Sequence, residues 1–73
     1  MATQTVKGDV AGRVWKVIAK PGDRVAAEDT LVIFESMKME IPVVAPVAGT
    51  VIAILVTEGQ DVREDEEIAR IGD

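Results

Sequence analysis

Cysteine and histidine are both absent from the chain. Without cysteine there is no disulfide to brace the fold and no thiolate to act as nucleophile. Without histidine there is no imidazole for general-base catalysis. A zinc or iron site would need carboxylates alone, and no cluster has the spacing for one. Basic residues are scarce, 8 against 13 acidic ones, for a net charge of −5. Nucleic acid selects basic faces, so this balance argues against it and favours electropositive protein partners. No apolar run approaches the roughly 20 residues of a membrane span. Residues 1–7 carry no apolar core of a secretory signal, and no Pro/Ala-rich linker interrupts the chain. The expectation is a cytoplasmic location, or an organelle matrix if a transit peptide has been removed. At 73 residues the chain has material for one domain, residues 1–73. A domain this short buries only about 60% of its unfolded surface. These absences make an independent enzyme a poor fit; neither a catalytic residue nor a metal ligand is assigned.

What is present is a repeat. Val10-Ala11-Gly12 returns as Val47-Ala48-Gly49, an offset of 37 residues. At that offset Val6 meets Val43, Val14 meets Val51, Val17 meets Ile54, Gly22 meets Gly59, Val25 meets Val62 and Leu31 meets Ile68. Repeats of this kind mark duplicated structural units. Each half reads as short strands. Residues 12–18 and 49–56 are rich in β-branched side chains, and residues 30–34 and 67–71 are short and apolar. Pro21-Gly22-Asp23 and Glu58-Gly59-Gln60 supply turn chemistry, while Pro42 and Pro46 exclude a helix in the second half. Residues 26–40 also contain good helix formers. A helix there would be apolar all round at Leu31-Val32-Ile33-Phe34, and its repeat partner at 68–71 is too near the end of the chain to match it. The expectation is therefore all-β, a sandwich or barrel.

The halves meet at Glu35-Ser36-Met37-Lys38-Met39-Glu40. Flanked by strands, this segment must turn the chain as a hairpin. Met-Lys is poor turn chemistry, since Asn-Gly or Asp-Gly would be favoured. Lys38 is the only basic residue between Arg24 and Arg63, and methionine sits on both sides of it. An isolated lysine is ordinarily a solvated surface charge and a methionine ordinarily core. A tip built against local preference points to selection for something besides folding.

Glu35-Ser36-Met37-Lys38-Met39 resembles the Glu-Ala-Met-Lys-Met motif of the biotinyl/lipoyl attachment domain family. The resemblance covers nearly the whole chain. It includes Gly22-Asp23-Arg24-Val25, Ala45-Pro46 with Gly49 and Val51, and Glu58-Gly59 with Val62. Within the family the chain looks most like the stand-alone biotin carboxyl carriers. The resemblance implies a flattened β-barrel of two four-stranded antiparallel sheets with quasi-twofold symmetry, the modified lysine at a hairpin tip. It implies covalent biotin on Lys38, with Met37, Met39, Glu35 and Ser36 read by a biotin protein ligase. The Lys38 amine would attack biotinyl-AMP, forming an amide and releasing AMP. The ligase would supply the desolvation that an amine nucleophile needs. The product would be a non-catalytic, monomeric carrier that serves a biotin carboxylase and a carboxyltransferase.

Three departures stand out. Ser36 replaces the commoner alanine, a small-for-small change. Glu28 and Asp65 stand where the family has glycine in two matching turns, and a positive φ is costly for Glu and milder for Asp. Residues 18–24 leave only a short turn where the bacterial acetyl-CoA carboxylase carrier has a protruding thumb. The rival functions are a lipoyl carrier with lipoate on the same lysine, whose tip would typically read Asp-Lys-Ala, an attachment protein that takes either biotin or lipoate, and an unmodified interaction domain. An anion- or sugar-binding barrel has only Trp15 in its favour, and Trp15 is expected to be half-buried. The acidic run Glu64-Asp65-Glu66-Glu67 is expected to be a solvated turn.

Overall fold

A computed structural model describes residues 3–8 and 10–72 of the chain. Eight strands follow one another: β1 (Thr3–Lys7), β2 (Gly12–Val17), β3 (Arg24–Val25), β4 (Thr30–Ser36), β5 (Met39–Val44), β6 (Gly49–Ile54), β7 (Asp61–Val62) and β8 (Glu67–Gly72). No helix occurs among the described residues. The strands form two antiparallel four-stranded sheets, ordered β1-β8-β6-β3 and β5-β4-β2-β7. The molecule is elongated, 37 × 18 × 18 Å.

The 37-residue offset is written into the backbone. The Gly22 N–H donates to the Val51 carbonyl at 2.7 Å, and the Gly59 N–H to the Val14 carbonyl at 2.7 Å. Asp29 Oδ2 accepts from the Ala26 N–H at 2.8 Å, while Glu66 Oε1 accepts from the Arg63 N–H at 3.0 Å. Asp23 and Gln60 cap the other matching turns, accepting from the N–H groups of Lys20 and Thr57. Each sheet is thus the quasi-twofold image of the other. Both non-glycine turn residues adopt the left-handed backbone: φ is 72° at Glu28 and 68° at Asp65. The side-chain caps on Asp29 and Glu66 hold those turns in a region disfavoured for side chains with a Cβ.

The strand ends differ slightly from the sequence expectation. β2 stops at Val17 because the Ile18 and Ala19 N–H groups both turn to the Leu31 carbonyl. β4 runs on to Ser36 because its ladder with β5 continues up to the turn. The core lies between the sheets. Phe34, Leu31, Ile68, Ile71, Val14, Val32 and Val51 are its largest fully buried side chains, and no polar residue among the described ones is buried with them. Gly49 is required by close approach, since a Cβ there would overlap the Gly72 carbonyl oxygen.

Trp15 is more exposed than expected, at 43%. The β2–β4 register shifts between Val14 and Lys16, and this bulge turns Trp15 outward. The Lys16 ammonium lies 5.7 Å from its ring centroid. The twofold mate Ile52 sits in a matching bulge and is also exposed. In the acidic run, Glu64 and Asp65 are solvated as expected. Glu66 turns back to cap Arg63, and Glu67 opens β8 and pairs with Arg70 at 3.1 Å.

Candidate functional site

The junction between the halves is the β4–β5 hairpin. Its register pairs Ser36 with Met39, leaving Met37 and Lys38 as a two-residue loop. Both have positive φ, 51° and 67°. Two left-handed residues in succession define a type I′ turn, whose twist matches that of the flanking strands. Asn-Gly adopts this turn at little cost. For residues carrying a Cβ the left-handed conformation costs about 1–2 kcal/mol each. The hairpin ladder and the buried Phe34 beneath it hold the turn in place.

The turn projects all three tip side chains outward. Met37 is 92% exposed and Met39 64%, and Lys38 is exposed with no ion pair to a described residue. Ser36 is half-buried and packs over Gly12, where a Cβ would come within 3.1 Å of the Glu35 carbonyl oxygen. Gly12 therefore lets β2 run close under the tip and brace it.

Glu35 is exposed and lies directly opposite Glu40. Pairs alternate along an antiparallel ladder, and the pair beside a two-residue turn exchanges backbone hydrogen bonds. Glu35 and Glu40 thus fall at a non-hydrogen-bonded position, where side chains come closest. Two like charges directly opposite are destabilising. On the other side of Glu35 its partner is Arg13, whose Nε lies 3.4 Å from Asp61 Oδ1. A row of charges, Asp61, Arg13, Glu35 and Glu40, therefore crosses the sheet below the lysine. Glu40 and Arg13 were not singled out from the sequence. Counting outward from a two-residue turn at 37–38 would have found Glu40; nothing local would have found Arg13, which depends on the β2–β4 register.

The five residues Glu35, Ser36, Met37, Lys38 and Met39 are contiguous in one hairpin, and among the described residues none forms an ion pair with the lysine. Among the described residues, no group of three carboxylates is placed to hold a metal ion. The arrangement offers one chemical asset: an unencumbered primary amine at a fixed position, ringed by flexible apolar side chains and backed by carboxylates.

Residues 2–71 match the family described as biotin-requiring enzyme. The chain is 40% identical to a biotinylated protein TB7.3 homolog of Mycobacterium leprae over 68 residues, covering 93% of this chain and 96% of the relative. It is 40% identical to a biotin/lipoyl attachment protein of Bacillus subtilis, covering 92% of both. It is 40% identical to a biotin carboxyl carrier protein of Streptococcus mutans over 96% of this chain and 54% of that protein. Among solved structures, the urea carboxylase of Kluyveromyces lactis superposes with a TM-score of 0.93 at 35% identity. That match takes in 99% of this chain and 6% of the larger one.

Proposed function

The chain belongs to the biotin-requiring enzyme family of biotinyl/lipoyl attachment domains, and from that premise we propose that Lys38 carries biotin in amide linkage. The observation that carries this reading is the exposed Lys38 amine in a type I′ turn, flanked by two outward-facing methionines. An amide-linked group fits there: the amine is free in solvent, no described residue pairs with its charge, and the tip leaves its approach open. When attached, biotin supplies a ureido nitrogen that carries a carboxyl group from a biotin carboxylase to a carboxyltransferase.

The chain's own contribution is positional. The strained turn fixes the Lys38 Cα on a rigid ladder, so a ligase meets the amine at a reproducible place. Met37 and Met39 offer adaptable apolar contact to that ligase. Glu35 and Glu40 give the tip a negative field that draws an electropositive partner surface toward it. With no catalytic constellation assigned, the domain acts as a carrier whose partner enzymes supply the chemistry.

Lys38→Arg tests the assignment, because it keeps the charge and removes the acylatable amine. After incubation with a biotin protein ligase, biotin and ATP, the natural chain should gain one avidin-reactive group and the variant none. A persistent signal from Lys7, Lys16 or Lys20 would overturn the assignment. Modification by a lipoyl ligase alone would replace biotin with lipoate on the same residue.

A further inference from the structure

A seam between the sheets opens beside the β4–β5 hairpin. β1 and β5 are edge strands of opposite sheets. A groove of about 120 Å³ lies there, lined by Lys7, Val10, Phe34 and residues 41–44. Lys7 and Val44 are 37 residues apart, so the groove straddles the quasi-twofold axis. Where strict symmetry would place two like side chains, the chain has one exposed cation and one half-exposed valine. Gly8 helps to shape the groove, since a Cβ there would come within 2.9 Å of Phe34 Cε2.

We propose that this groove is a parking site for the ureido ring of biotin attached to Lys38, a proposal that rests on the biotin reading above. Reach comes first. The lysine stem and valeryl chain make an arm on the order of 15 Å, from bonds of about 1.5 Å. A strand rises at most about 3.4 Å per residue. Ile41 is therefore within about 10 Å of Lys38 along the chain, and Pro42 within about 14 Å. The ring reaches the Ile41–Pro42 end of the groove with the hairpin unmoved.

Chemistry comes second. A ureido ring presents two N–H donors and one carbonyl acceptor on an otherwise apolar bicycle. Pro42 pairs with Ile33 at a non-hydrogen-bonded position of the ladder, so its carbonyl points to the open edge. Proline has no N–H, and this stretch of edge therefore presents an acceptor without its usual neighbouring donor. The ureido N–H groups have the Pro42 carbonyl to donate to, and the ureido carbonyl accepts from the Lys7 ammonium. Val10 and Val44 cover the apolar part of the ring. The groove is a small hollow, which suits a compact ring and leaves the chain over the β5 edge. A dithiolane ring has no N–H or carbonyl to offer, so a lipoyl arm gains only the apolar part of this contact.

The test is isotope-edited NMR of the full chain before and after enzymatic biotinylation, with intact mass establishing one group per chain. The expected result is amide shifts at Val10, Val43 and Val44 in addition to residues 36–40, with nuclear Overhauser contacts from the ureido N–H to the Val10 and Val44 methyls. Val44→Asp replaces a partly exposed side chain. It should abolish the distant shifts, keep those at the tip, and leave the melting temperature within a few degrees. Shifts confined to residues 36–40 in the singly modified natural chain would overturn parking while leaving biotinylation intact. Distant shifts that survive Val44→Asp unchanged would also overturn it. A chain that acquires no biotin would remove the premise and the proposal together.

Discussion

Among the described residues, four that are not glycine adopt a left-handed backbone: Glu28, Met37, Lys38 and Asp65. They fall into two kinds. Glu28 and Asp65 are twofold mates in capped turns remote in sequence from the tip, and nothing in the structure explains why glycine is not used there. Replacing either with glycine removes about 1–2 kcal/mol of left-handed cost and adds about 0.4–1 kcal/mol of unfolded-chain entropy. Glu28→Gly should therefore stabilise the domain by about 0.5–1 kcal/mol in urea melts, and Asp65→Gly by less because Asp tolerates this region better. Lys38→Ala keeps a Cβ in the same conformation and should move stability by no more than about 0.5 kcal/mol. A loss of several kcal/mol for Lys38→Ala would show that the tip is structural, contrary to its exposed, unpaired position.

The hairpin is where an element and its use are hardest to separate. Met37 and Met39 face solvent, so truncating them opens no cavity in the core. Changing Met37 to Asp together with Met39 to Ala should leave the melt nearly unchanged and lower the initial rate of biotinylation at an intact Lys38. An unchanged rate would show that the methionines do not specify the group. Much of this element was legible beforehand. The repeat put the junction at residues 35–40, and the absence of turn-forming residues marked the tip as unusual. The β-branched runs at 12–18 and 49–56 and the glycines at 22 and 59 placed strands and turns to within a residue or two. The bulges at Trp15 and Ile52 were not legible, because a register shift depends on the partner strand and leaves no local pattern. For the same reason Trp15 read as half-buried and stands exposed.

Across the whole molecule the two halves share one core, and their equivalent positions should respond alike. Val14 and Val51 are twofold mates, each 1% exposed. Val→Ala at either should cost about 2 kcal/mol, from two buried methyl-sized groups at about 0.8 kcal/mol each plus a cavity contribution. The glycines break this parity. At Gly12 a new Cβ meets the Glu35 carbonyl oxygen at a tight but bearable 3.1 Å, whereas at Gly49 it would overlap the Gly72 carbonyl oxygen. Gly49→Ala should therefore cost clearly more than Gly12→Ala. Equal losses in chemical denaturation would mean that the chain near Gly72 gives way more easily than its buried position implies.

The pairing of Thr3 with Gly72 has a topological meaning. Shifted by 37 residues, the β4–β5 ladder lands on the β8–β1 ladder, so Met37-Lys38 has an image position at the gap between the last strand and the first. In chain order the described strands make a circuit whose first and last members pair, with a cut between them, and the Met37-Lys38 turn occupies the place opposite that cut. Bridging β8 to β1 with a short glycine-rich loop and opening the chain between Met37 and Lys38 moves the cut to the other position. Such a permutant should keep the sheets and lose the fixed turn. Its Lys38 would then be an ordinary flexible terminal residue, and the difference in its modification rate would measure how much the rigid presentation of one amine contributes.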